Sequence, residues 1–320
     1  MKNRIILLLL VLACFSSAVF AEGRQESYPS KKVTIIVPWG LGGGVDVIAR
    51  KVASYGEKYL GQPVIVENHT GGAGTIAMTD LIKAPDDGYT MIVANGPLFS
   101  LTPNFQKVTY KLDDITPLIG MRSVEFVALA NPAVSGINSM EALREYGKTH
   151  IIKYATTGGP GNDGYTLLAV LFKKMGIEAK AVPFDGGLDA INALVGGHVD
   201  ISIGSPPVYA DYVKSGKLVS LGVFTPNSIK VEGLEVQPSF KSQGIDLEFT
   251  GLDYFAVRSS VDPEKQRILT QFIKDVYADA EFQAFMKEMK MESFGIGADE
   301  LFALIASQTQ DMTQYVDLIK

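Results

Sequence analysis

Short apolar runs alternate with amphipathic stretches through most of the chain. Val33–Val37 has the character of a strand, and Val45, Ile48, Val52, Tyr55 and Tyr59 then recur at helical spacing over residues 46–59. Gly61 stops that helix. Val64-Ile65-Val66 predicts a second strand ending at Glu67-Asn68, residues 75–82 a second helix, and residues 89–94 a third strand. Further strands are expected at 125–129, 151–154, 181–184, 199–203 and 217–224, with helices at 140–148, 165–175 and 188–195. Residues 247–257 are extended, Asp262-Pro263 opens a helix, and the chain is almost all helical from there to Lys320. Strands alternating with helices at this interval predict α/β architecture, with parallel sheets covered on both faces. The pattern divides into a leader, 1–21, and two lobes, 22–126 with 250–320 and 127–249. Crossings at 124–130 and 249–258 would form the hinge.

The turns that join strands to helices are stripped of bulk. Residues 40–44, 71–74, 157–164 and 186–187 are rich in glycine, and none of the four contains arginine or lysine. Glycine bares the main-chain amides. The first amides of a helix have no partner inside it and carry a partial positive charge. A strand, a bare turn and a helix start together make a site for an anion, most simply a carboxylate. In open parallel sheets ligands bind beyond the carboxyl ends of the strands, where these turns lie. One such turn could be no more than a tight stop; four on one edge point to binding. Ser205 before Pro206-Pro207 suits a helix start with proline in the first turn.

Composition narrows the setting. The chain has 320 residues, 47% hydrophobic and 20% charged, enough for about two domains. Residues 1–21 have the form of a secretory signal: Lys2 and Arg4, an apolar core over 5–13, and Val19-Phe20-Ala21 as the cleavage pattern. The apolar core is short for a spanning helix, which needs about 20 residues. Leu10 to Cys14 also resembles a lipoprotein box, a route ranked second because Leu12 is atypical there. Cys14 is the sole cysteine, so cleavage at Ala21 leaves no disulfide, thiolate metal site or cysteine nucleophile. The net charge of −6, without basic runs, argues against nucleic acid and anionic membrane surfaces. The expected location is periplasmic or otherwise extracytoplasmic.

Enzyme and cofactor motifs fit poorly. Gly40-x-Gly42 begins a dinucleotide fingerprint, but its third position is Val45. No Lys-Ser/Thr follows the glycines and no G-x-S-x-G is present. His69, His150 and His198 are scattered without metal-ligand spacing. The reading is a protein without cofactor, metal or catalytic residues.

Longer stretches carry a family resemblance. VTIIVPWGLGGGVDVIAR (33–50), LGQPVIVEN (60–68), APDDGYT (84–90), VPFDGGLDAINALVGGHVDI (182–201) and VKSGKLVSLGV (213–223) resemble the solute receptors of tripartite tricarboxylate transporters, the Bug-type receptors. The resemblance covers essentially the whole mature chain. It implies a two-lobed, type II-like periplasmic-binding-protein fold with two crossover segments. Such a receptor closes on a small carboxylate, a di- or tricarboxylate, an acidic amino acid or an aromatic acid, and delivers it, as a monomer, to two membrane subunits. It further implies that Trp39 and Gly42, Gly43 and Gly44 on one lobe face Thr156, Thr157, Gly158, Gly186 and Gly187 on the other, with Ser205 nearby. Asp46 matches an acid at the helix start, assigned to capping before ligand contact. Two departures stand out: Asp163 in a long turn, and Asp185 where lysine or another residue is common. Acids beside a carboxylate ligand repel it, so they either point away or pair with an amino group on the ligand. The rival readings are an exported enzyme and a ligand-presenting sensor subunit.

Overall fold

The computed structural model describes residues 27–291 and 295–320; the leader at 1–21, with Cys14, lies outside them. Two five-stranded sheets organise the chain from Lys31 onward. The first joins β1 (Val33–Val37), β2 (Val64–Asn68), β3 (Thr90–Asn95), β4 (Ile115–Val124) and a late strand, Gly251–Arg258. Its order is β2-β1-β3-late strand-β4. The second joins β5 (Val127–Ala130), β6 (Ile152–Thr157), β7 (Ala179–Phe184), β8 (Ile201–Gly204) and β9 (Val219–Val223) in the order β7-β6-β8-β5-β9. The late strand, β10 below, therefore occupies in the first sheet the position that β5 occupies in the second.

The expectation of all-parallel sheets is corrected. β1 runs parallel to β2 and β3, and β6 parallel to β7 and β8, but β10 is antiparallel to both its neighbours and so is β5. Connectivity explains this. β4 ends at Val124 and β5 begins at Val127, opposite Gly204 at the carboxyl end of β8. A strand that enters a sheet from that edge must run away from it, and two intervening residues leave no room for the helical crossover a parallel strand needs. β10 enters in the same way, with Gly251 opposite Val124 and Asp253 opposite Asn95. The two crossings thus lie side by side. Phe224 donates its amide to the Phe126 carbonyl over 3.0 Å, and the Phe126 and Phe249 rings stack at 6.3 Å.

Helices α1 (Gly44–Ala53), α2 (Thr75–Lys83), α3 (Met140–Gly147), α4 (Asp163–Met175), α5 (Gly187–Val195) and α6 (Pro206–Lys214) follow the predicted pattern closely. α1 stops before Tyr59, and a wider π-type turn covers Gly56–Leu60. A side chain at Gly56 would lie 2.6 Å from Val64 Cγ2, so only glycine lets the turn press against β2. β4 is absent from the predicted strands because Pro117, Gly120 and Arg122 break its apolar pattern; proline is tolerated there because β4 is an edge strand. After α7 (Pro263–Ala278) and α8 (Ala280–Glu288), the last helix, α9 (Ala298–Ile319), serves both sheets. Leu301 and Ile305 pack with Leu252, Tyr254 and Ala256 of β10, while Met312, Tyr315 and Val316 pack with Ala128, Tyr154 and Leu171.

Candidate functional site

Four helix N-termini open onto one cavity at the carboxyl ends of the two sheets. Gly43 and Gly44 start α1, Asn162, Asp163 and Gly164 start α4, Gly187 starts α5, and Ser205 precedes α6; all of them line the cavity. About 80 Å³ of it is open to the centre of a water-sized sphere. One ordered water needs about 10–15 Å³ on that measure, so the space suits a small metabolite and not a large one. The turns from the two sheets touch. Gly40 donates its amide to the Asp185 carbonyl over 2.9 Å, and Thr102 donates its hydroxyl to the Gly161 carbonyl over 2.9 Å. Gly161 has φ +97°, and a side chain there would meet Thr102 Cα at 2.8 Å. A Cβ built on Gly43 would lie 4.0 Å from the Gly187 nitrogen, and one on Gly187 would lie 4.0 Å from Thr157 Oγ1. Among the described residues the amides of Gly43, Gly44 and Gly187 have no acceptor. Donors without acceptors and converging helix dipoles give this wall a positive character.

The predicted residues divide between this cavity and its surroundings. Trp39, Gly43, Gly44, Asp46, Thr157, Asp163, Gly187 and Ser205 line it; Gly42, Thr156, Gly158, Asp185 and Gly186 do not. Gly42, at φ +75°, donates its amide to Asp46 over 2.9 Å. The Thr156 hydroxyl donates to the Gly158 carbonyl. Gly186 packs on Gly40, where an added Cβ would lie 3.3 Å from Gly40 Cα. Gly158 and Asp185 line a larger adjoining recess, together with Gly71 to Gly74, Gln106 and Trp39. The Asp185 side chain is exposed. All four glycine turns therefore line one or other of two compartments, with Trp39 bordering both.

Asp46 is committed within the protein. Its carboxylate accepts from Gly42, from Asn68 over 2.8 Å and from Arg50 over 3.1 Å. Burial alone would raise its pKa, but these hydrogen bonds, with Arg50's charge, hold it below the usual value. His69 sits beside Asp80 at 2.8 Å, away from the cavity.

The sequence reading missed a buried ion pair in the cavity wall. Arg122 of β4 donates through Nε to Asp253 of β10 over 2.9 Å, with both side chains about 6% exposed. Nη1 of Arg122 lies 3.5 Å from Ser205 Oγ and 3.3 Å from Met291 Sδ. The four glycine turns carry no arginine or lysine, but the cavity wall beside them also holds the Arg122 guanidinium. Asn95 and Asn162 add polar groups, and Val124, Phe126, Ile203 and Val208 add apolar lining. The signal was present: Arg122 and Asp253 are lone charges in the apolar runs 118–124 and 251–257. Burial raises the Asp253 carboxyl and Arg122 draws it partly back. Burial also pushes Asp163 up to about 7, with the Gly164 amide opposing the rise and the Asp253 charge adding to it.

Two α/β sheets joined by paired crossings, with a cavity at their carboxyl edges, define a two-lobed solute-binding protein. Solved structures share this fold. The periplasmic binding protein BugD superposes with a TM-score of 0.82 at 24% identity, covering 91% of this chain and 97% of that one. MatC from Rhodopseudomonas palustris, solved with bound malate, gives 0.82 at 21% identity, covering 90% and 100%. The chain belongs to the tripartite tricarboxylate transporter receptor family, whose model matches residues 48–319. Among curated relatives, BugT of Bordetella pertussis is 28% identical over 84% of this chain and 83% of its own. A protein from the gbd 5' region of Cupriavidus necator is 27% identical over 92% of this chain and 88% of its own.

Proposed function

We propose that this receptor is exported, binds one small carboxylate in the cavity at Gly43, Thr157, Asp163 and Gly187, and hands it to the membrane subunits of a tripartite transporter. The observation that carries the reading is the convergence of four helix N-termini on one small cavity, with amides at Gly43, Gly44 and Gly187 that have no acceptor among the described residues. A carboxylate there gains several main-chain hydrogen bonds and the helix dipoles together. Two structural neighbours support the class: MatC was solved with malate and another R. palustris protein with adipate. In this reading lobe 1 comprises 22–126 with 250–320 and lobe 2 comprises 127–249. They rotate about the crossings as a hinge, so that the Gly40–Asp185 and Thr102–Gly161 contacts form on closure. Chemical turnover has no part in it; binding energy goes into the closed shape that a membrane partner recognises.

A thermal-shift screen of the mature protein against mono-, di- and tricarboxylates and amino acids tests this. A ligand that binds only the native state raises the melting temperature in proportion to the logarithm of its concentration. At least one small acid should do so, while its amide or ester should not. A screen in which no carboxylate raises the melting temperature contradicts the proposal.

A further inference from the structure

The charges that line the cavity do not balance. Asp46 is paired with Arg50 at 3.0 Å, and Arg122 with Asp253 at 2.9 Å. Asp163 is the cavity-lining charge without a counter-ion among the described residues. Its side chain is buried, and its carboxylate accepts only main-chain amides, from Gly164 at 2.8 Å and from Asp163 itself, with no side-chain donor among the described residues. A carboxylate placed so costs stability unless a bound partner completes it, because buried charges are normally paired. The nearby charges facing Asp163 are Arg122 on β4 and Asp253 on β10, and Asp253 already occupies the guanidinium through Nε.

We infer that Asp163 holds the ammonium group of the ligand, so that the receptor takes an amino acid as its zwitterion. This rests on the carboxylate reading above and adds the second half of the ligand. The ligand's carboxylate sits on the amides of Gly43, Gly44 and Gly187, and its ammonium group donates to the Asp163 carboxylate. The ammonium and its carboxylate together bring no net charge into a cavity whose own unbalanced charge is negative, and each of these poles meets the opposite one. A plain acid of the same length supplies no donor for Asp163 and would require that carboxyl to stay protonated.

The two cases respond oppositely to pH. Asp163 titrates near pH 7 in the protein alone. Ammonium binding needs it ionised, so affinity for an amino acid rises from about pH 5.5 to about pH 7.5 and binding releases a proton. Affinity for a plain acid falls over the same range and binding takes a proton up.

The experiment is calorimetric titration of the mature protein, in buffers of different ionisation enthalpy, with matched probes: L-aspartate and succinate, L-glutamate and glutarate, L-leucine and 4-methylpentanoate. At least one amino acid should bind tenfold or more tighter than its des-amino partner at about pH 7.5, with proton release. Asp163→Asn should remove that preference and the proton release while leaving the des-amino acid bound as well or better. If the des-amino acids bind equally or more tightly, or if Asp163→Asn keeps the preference, the inference is overturned and the carboxylate reading stands. If neither class binds, both fall.

Discussion

At the residue scale, the side chains that matter most differ in how visible they were. Asp163 stood out because it breaks a glycine turn with a charge, and the structure puts it in the cavity wall. Asp185 drew the same attention, but its side chain is exposed and its carbonyl takes the Gly40 amide. Nothing local separates the two; only the rotation of each turn against the opposite sheet does. Arg122 and Asp253 are 131 residues apart in sequence and meet because β4 and β10 pair, a long-range register that no local pattern encodes. The burial of Asp163 has a consequence for stability. Its carboxyl titrates at about 7 in the folded chain against about 3.9 in an unfolded one. Between those values the folded state holds a proton that the unfolded state has lost, so stability falls as pH rises from about 4 to about 7. Asp163→Asn should therefore stabilise the ligand-free protein by roughly 2–4 kcal/mol at pH 8, with the gain shrinking toward pH 4. Denaturant melts across that range check this. A variant less stable than the parent by the same margin at every pH would show that the carboxylate is structurally needed.

At the element scale, strand, glycine turn and helix were legible as units, because the change from apolar run to glycine to amphipathic helix is a local signal. β1 and α5 begin and end within a residue of the expected positions. What local pattern could not show is which neighbour each strand takes, and so β5 and β10 emerged as antiparallel only in the sheets. The turns also act as contact surfaces. A side chain at Gly186 would crowd the Gly40 backbone, whose Cα lies 3.3 Å from an added Cβ. Gly186→Val should keep the Gly40 amide from the Asp185 carbonyl and weaken ligand binding by about tenfold or more, since packed backbones do not yield to added methyl groups cheaply. Calorimetric titration of the variant with any acid that binds the parent, beside a melt showing an intact fold, is the measurement. Unchanged affinity would mean the two turns need not touch for binding.

At the scale of the whole molecule, the proposed function needs two half-sites on separate sheets to make one complete site. Each sheet contributes a pair of glycine turns, and the paired crossings at Val124–Gly251 and Phe126–Phe249 bring them face to face. Helix α9 packs on the cores of both sheets, so any rotation of one lobe must slide along its length. The central claim is that main-chain amides from both sheets hold the carboxylate, with side-chain charge setting what else the ligand carries. The most direct test is a crystal structure of the mature protein with an acid that raises its melting temperature. The account predicts carboxylate oxygens at about 2.7–3.2 Å from amides of the Gly43–Gly44 turn and of Gly187 at once. A carboxylate held by turns of one sheet alone, or resting on a surface lysine outside this cavity, would contradict it.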